Sequence, residues 1–335
     1  MPSTQTKVAI GVPVYNGQTF LASTLECLLE QTYGNFELII SDNASTDRTE
    51  DICREYAQRD GRIRYVRQPE NLGAIPNFNR VFEISNAPYF KWAAVDDRCD
   101  PTYLAKAVQV LDENPDVVWC HSRSSHIDAS GEWLDDPESL NVSYLEREAD
   151  APSARFKAVL LGTKGSLDSY GLIRSEALRK TPLFLPYYGP EKVLMAELGL
   201  LGRYQEIPEV LFFPRVLAEG SGNKQTAAEQ QTFIDTKHMR RLQLTRLRFL
   251  QGYLRAIRRS APNWTEAAKS HLAVLRWLFQ VSKWHAVLLK AVRGQGVGGG
   301  NVERVKRLET KRGRAEDHLK QPAGSTWGLG AKDHT

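Results

Sequence analysis

Two adjacent carboxylates, Asp96 and Asp97, follow the apolar run Phe90-Lys91-Trp92-Ala93-Ala94-Val95. Neighbouring acids at a strand end repel each other. Solvent can relieve that repulsion, and a hard divalent cation relieves it better, through oxygen ligands it usually shares with substrate phosphates. The plainer reading makes Asp97 and Asp100 loop and N-cap acids before a helix that opens at Pro101. Other polar clusters lie at matching places. Pro13-Val14-Tyr15-Asn16-Gly17 closes one apolar run, and Asp42-Asn43-Ala44-Ser45-Thr46-Asp47 closes another. His121 and His126 flank a further strand pattern, where lone histidines are mostly structural. The chain has no Walker A sequence and no GxGxxG after its first strand, so it does not hold phosphates in either of those ways.

The elements that must position these residues read as a βα series. Val8–Val12 is a continuous apolar run, as in a buried parallel strand. Leu21, Leu25, Leu28 and Leu29 share one helical face. Phe36–Ile40 is a second strand. Asp47 and Glu50 have the spacing of a capping box for the next helix. Ile63–Val66 is a third strand, Asn71-Leu72-Gly73 turns into a helix, and the Phe90–Val95 strand follows. This alternation predicts an α/β fold with a mostly parallel sheet flanked by helices. In such sheets ligands bind beyond the carboxyl ends of the strands. The loops at Pro13–Gly17, Asp42–Asp47 and Asp96–Asp97 are therefore expected to converge.

At this point the sequence resembles the family 2 glycosyltransferases of the GT-A nucleotide-diphospho-sugar transferase fold. The residues that carry the likeness are Val8–Asn16, Ile39–Asp47, Asn71-Leu72-Gly73 and Asp96-Asp97 before Pro101. The likeness implies an inverting, metal-dependent transfer of a hexosyl-type sugar from a nucleotide-diphosphate donor to a hydroxyl acceptor, in bacterial polysaccharide or glycolipid assembly. It implies that Pro13, Val14, Tyr15, Asp42, Asn71 and Asp96 line the donor nucleotide site. It implies that Asp96 and Asp97 hold a divalent cation, Mn2+ or Mg2+. An acid at the start of the helix after Pro190, Glu191, takes the place of the family's base, ahead of Asp168 or Glu197. Arg215 and Lys224 fall where related enzymes contact the diphosphate. This chain departs from the family at two places. It has Ala94-Val95-Asp96-Asp97 where Asp-Ala-Asp-Asp is common, and Asn43 where many members have Asp. The missing first acid motivates an alternative, a catalytically weak or inactive nucleotide-sugar-binding or scaffold protein on the same fold.

The whole chain has 335 residues and a formal net charge of +4, distributed unevenly. Residues 221–335 hold 22 of the 44 Lys+Arg and 8 of the 40 Asp+Glu, which leaves 22 against 32 in residues 1–220. Four cysteines without metal-ligand spacing point to a reducing compartment. Met1–Lys7 is polar, and no apolar run is long enough to span a bilayer. The expected location is cytoplasmic, at most peripheral on the inner face of the membrane. The expected domains are a catalytic unit over 1–222, with a nucleotide-binding half 1–115 and an acceptor half 116–222. A basic amphipathic helical extension follows over 223–293, then a Gly-rich break, short helix and disordered tail over 294–335. Segment 135–152 reads as mobile. The basic helices of 226–293 suit a membrane interface, packing on the body, or pairing into a homodimer. Nucleic acid is not an expected partner, because the basic third lacks a recognised binding motif and the body is acidic.

Overall fold

The computed structural model describes residues 6–134, 149–162, 167–187, 189–217, 233–234 and 245–279. Val8–Val14 (β1) is buried along its whole length. It pairs in parallel with Phe36–Asp42 (β2) and with Tyr89–Trp92 (β4), and β2 pairs in parallel with Ile63–Arg67 (β3). The crossovers carry the helices Leu21–Leu29 (α1), Thr49–Arg59 (α2) and Ala74–Glu83 (α3). Side chains of β1 alternate between two cores, with Val8, Ile10, Val12 and Val14 on one face and Ala9 on the other. At Gly11 an added Cβ would fall 2.7 Å from Val81 and Phe90, so α3 approaches the strand closely there.

The second half adds the two-residue strand Arg98–Cys99 (β5), then Tyr103–Glu113 (α4), Val117–Ser124 (β6) and Pro152–Gly162 (α5). A 3-10 turn at Leu167–Tyr170 leads to Leu172–Arg174 (β7), Ser175–Arg179 (α6), Glu191–Leu201 (α7) and Arg203–Phe213 (β8). The eight-stranded sheet has the order β3-β2-β1-β4-β7-β6-β8-β5. The β6–β8 pair is parallel, whereas β7 runs antiparallel to β4 and β6, and β5 antiparallel to β8. The sheet is therefore parallel through its first half and mixed beyond β4.

Two helix starts differ from the sequence expectation. Asp100 Oδ1 accepts from the Thr102 N–H at 2.8 Å and the Thr102 hydroxyl at 2.6 Å, which keeps Pro101-Thr102 in a turn until α4 begins at Tyr103. Asp47 accepts from the backbone N–H groups of Thr49 at 3.0 Å and Gln18 at 3.1 Å. Glu50 instead pairs with Arg54 and Arg67, so the expected capping box is replaced by a bond between loops.

Thr245–Ser260 (α8) and Trp264–Leu278 (α9) form a helical hairpin. Asn263 caps α9 by accepting from the Glu266 N–H at 3.0 Å. Tyr253, Ile257, Ala273, Val274 and Trp277 join the same core as Phe156, Val193 and Leu194. This part of the basic C-terminal segment thus packs on the body through α5 and α7. Most of 135–152, residues 223–232, 235–244 and 280–293, and all of the expected break and tail over 294–335 lie outside the described residues.

Candidate active site

The register places Val14 beside Asp42, so β1 and β2 end together, and side chains then stitch their loops. Asn16 has φ 51°. Its N–H donates to Ser45 Oγ at 2.9 Å, and its Oδ1 accepts from the Thr46 N–H at 2.8 Å. The Gly17 N–H donates to Thr49 Oγ1 at 2.8 Å. The third loop is tied in by α1, where the Thr24 hydroxyl donates to Val95 O at 2.7 Å. Pro13 and Val14 are buried, while Tyr15 stands 47% exposed at this rim.

Asp42 is fully buried. Oδ1 accepts from the Ser45 N–H at 2.8 Å, and Oδ2 accepts from the Tyr65 hydroxyl at 2.8 Å and Arg67 at 2.6 Å. Burial and the adjacent Asp42 carboxylate raise the Tyr65 phenol above its ordinary range. With no surface exposed, Asp42 could contact a nucleotide base only after a neighbouring group moved aside. Asn43 has a separate task. Its Nδ2 donates to Asn71 Oδ1 at 2.8 Å and Gly73 O at 3.0 Å, and its Oδ1 accepts from the Leu72 N–H at 3.0 Å. An amide both donates and accepts, whereas an ionised carboxylate only accepts. The departure at position 43 thus has a local reason, because the Asn71–Gly73 turn presents two acceptors to it.

Asp96 and Asp97 are half-buried at the same rim. Burial raises both carboxyl groups above the usual range, and the Asp96 charge adds to the effect on Asp97, which is pushed up to about 7. Arg215 is built around the pair. Its N–H donates to Asp97 Oδ1 at 3.0 Å and its Nε to Asp96 O at 2.9 Å. One terminal nitrogen donates to Asp128 O at 2.7 Å and Ala129 O at 2.9 Å, and the guanidinium lies 4.7 Å from the Phe20 ring centre. Arg215 is thus a strut joining three loops. Lys224 lies outside the described residues.

Two crowded, partly desolvated carboxylates suit a hard cation that takes its remaining ligands from phosphates and water. Among the described residues no group of three or more His, Cys, Asp or Glu could hold a metal ion, so a complete protein cage is absent there.

Glu191 is the first residue of α7, behind Pro190. The Tyr170 phenol is raised first by burial and then by the charges of Asp97, Asp96 and Glu191. Glu197 is fully buried, and Arg259 donates to its two oxygens at 2.7 and 2.8 Å while the Ser260 hydroxyl donates at 2.7 Å. It ties α7 to α8. Asp168 is buried in the 3-10 turn. His121 is a core residue, with Nδ1 2.9 Å from the Tyr103 hydroxyl, and burial lowers its pKa.

Sequence reasoning missed Lys91, Tyr170 and the strut role of Arg215. Lys91 is buried behind the acid pair, donates to Tyr170 O, and lies 4.8 and 5.2 Å from the ring centres of Tyr103 and Phe212. The one available signal was a lysine inside an otherwise apolar strand.

Residues 9–181 match "Glycosyl transferase family 2". The chain is 27% identical over 184 residues to a putative glycosyltransferase, EpsH, of Bacillus subtilis, covering 54% of this chain and 51% of that one. It is 32% identical over 106 residues to the putative teichuronic acid biosynthesis glycosyltransferase TuaG of the same organism, covering 32% of this chain and 42% of the relative. The chain thus spans about half, or less, of the length of these relatives. Among solved structures, TarS 1-349 of S. aureus in complex with UDP aligns with a TM-score of 0.57 at 15% identity, over 81% of this chain and 70% of that one. The mannosyltransferase PcManGT of Pyrobaculum calidifontis, in complex with GDP-Man and Mn2+, aligns with a TM-score of 0.53 at 18% identity, over 95% and 82% of the chains. The fold is that of the GT-A glycosyltransferases, and the chain belongs to glycosyl transferase family 2.

Proposed function

We propose that this protein moves a sugar from a nucleoside-diphosphate donor to a hydroxyl acceptor, with inversion, in the assembly of a bacterial surface polysaccharide or glycolipid. The observation that carries the reading is the half-buried Asp96–Asp97 pair, held by Arg215 beside the rim where the β1 and β2 loops are stitched together. Family membership and the glycosyltransferase relatives support the reaction class. The nucleotide-sugar complex of a fold neighbour, made with Mn2+, supports a divalent cation.

In this reading Pro13, Val14, Tyr15 and Asn71 line the nucleotide pocket. Asp42 holds its walls through Ser45, Tyr65 and Arg67. Asp96 and Asp97 would hold the cation, which when bound neutralises charge on the leaving diphosphate. Glu191 accepts the proton of the acceptor hydroxyl as that oxygen bonds to C1 of the donor sugar. The C1–O bond to the diphosphate breaks, and its electron pair leaves with the phosphate oxygen. Attack from the opposite face inverts C1. Arg215 keeps the acid pair in place through bonds to Asp96 O and Asp97 Oδ1.

Melting of the full chain against UDP, GDP, dTDP and CMP, each with and without Mn2+ or Mg2+, tests this reading. A ligand that binds only the native state raises the melting point by mass action. One nucleoside diphosphate should give a cation-dependent shift that Asp96→Ala abolishes. Glu191→Gln should keep that shift while losing transfer. No shift with any nucleotide overturns the reading. A shift in wild type with no transfer or donor hydrolysis would instead leave a nucleotide-sugar-binding protein, the outcome favoured by the missing acid at position 94.

A further inference from the structure

Helix α9 has two apolar faces, and the body uses one of them. Ala273, Val274 and Trp277 are buried in the core. Trp264, Ala268, Leu272, Leu275 and Phe279 follow one another at helical spacing on the outer face, about 22 Å from end to end. The four large members of that stripe are 81, 67, 48 and 73% exposed, in chain order. Lys269 and Arg276 border the stripe along one side and His271 along the other.

The charge around the stripe is of one sign. Residues 245–279 hold seven Lys+Arg and one acid, Glu266. Glu266 is buried and accepts from the Ser153 N–H at 2.8 Å and from Lys269 at 3.0 Å, so its carboxylate is offset and the outer surface of the two helices presents no other acid among the described residues. A large apolar stripe with a tryptophan and a cationic border matches the interface of an anionic bilayer, which accepts apolar side chains and attracts basic ones. A second copy of this chain fits less well, because a two-fold contact would bring the same basic borders together. The following stretch, 280–335, carries 11 Lys+Arg against five Asp+Glu and meets the same repulsion. Nucleic acid offers phosphates to the arginines and bases to stack on Trp264 and Phe279, but nothing to Leu272 and Leu275 between those two rings. No helix among the described residues is long and apolar enough to cross a membrane, so contact through α9 would lie along the surface.

We propose that the Trp264–Phe279 stripe is a membrane-docking face that lays α9 on an anionic lipid surface. Docking there is independent of the sugar-transfer chemistry. The full chain should cosediment with phosphatidylcholine vesicles containing about one third phosphatidylglycerol, and much less with phosphatidylcholine alone. Leu272→Ser/Phe279→Ser should weaken that binding about tenfold or more. The melting point should hold, because both side chains face solvent. As a second readout, brominated acyl chains should quench wild-type fluorescence more than that of Trp264→Phe. Absence of vesicle binding, equal binding by the double variant, or equal quenching overturns the proposal. So does a sedimentation-equilibrium dimer that the double variant converts to monomer, which would assign the stripe to a second copy.

Discussion

Arg215 donates to three main-chain carbonyls and, through its own N–H, to a carboxylate of the acid pair. A lysine there keeps the charge and loses the fork that reaches several acceptors at once. Arg215→Lys should therefore weaken cation-dependent nucleotide binding about tenfold, the usual effect of losing a group that orients a ligand. Titration calorimetry with and without Mn2+ reads this, and the cation-free affinity should change little. Asn43 makes a sharper case. Asn43→Asp would set a carboxylate against the Asn71 Oδ1 and Gly73 O acceptors. The variant should lose about 2 kcal/mol of stability in urea denaturation, the cost of leaving buried polar groups unpaired. At this scale the sequence exposed the acids and hid their partners. Asp96, Asp97 and Glu191 draw attention in the sequence because acids at strand ends and helix starts stand out. Asn43 and Arg215 draw attention too, but their bonds are not legible, because those bonds reach 28 to 119 residues along the chain.

Helix α7 is held by one end and one side. Glu191 opens it, and Glu197, buried, receives two bonds from Arg259 of α8. Removing one member of a buried ion pair strands the other, at a cost of about 3–5 kcal/mol. Arg259→Ala, which strands the buried Glu197, should lower stability by about 3 kcal/mol. Glu197→Ala should cost clearly less, because the Arg259 side chain is 39% exposed and can turn to water. Glu197→Met/Arg259→Met should recover most of the larger loss. Chemical denaturation of the three variants checks this ordering. Helix α9 is fastened by Glu266, whose carboxyl is held down to about 2 by the N–H and hydroxyl of Ser153 and by Lys269. Its folded value lies below the ordinary 4.5, so the contribution is full above that pH and fades as pH falls toward about 2. Glu266→Gln should lose about 2 kcal/mol at neutral pH. The gap from wild type should close as pH falls through that window, as urea melts at stepped pH would read.

Across the whole molecule, legibility follows burial. Strands β1 and β2 are read directly because buried parallel strands give nearly unbroken apolar runs, whereas the edge strand β3 is read from Ile63, Tyr65 and Val66 alone. The sheet beyond β4 is harder. Strand β8 starts eight residues before the apolar Leu211, and its pairing with β6 shifts register three times, so exposed and buried positions lose their alternation. Strand β5 is two residues long and has no pattern to find. The C-terminal helices were legible as helices but not in their seating, because an amphipathic face does not say what it meets. Gly252 decides that question. A Cβ there would fall 2.8 Å from the Tyr187 hydroxyl and 3.1 Å from both γ-carbons of Val193, so α8 touches α7 where a side chain has no room. On an undocked helix, Gly252→Ala would stabilise by about 1 kcal/mol through helix propensity. On the docked helix, overpacking costs about 1–3 kcal/mol and offsets or exceeds that gain. The expected result is a net loss with a single cooperative urea transition, because the hairpin shares one core with Phe156 and Val193. A net gain would mean that α8 and α9 are not seated on the body in solution.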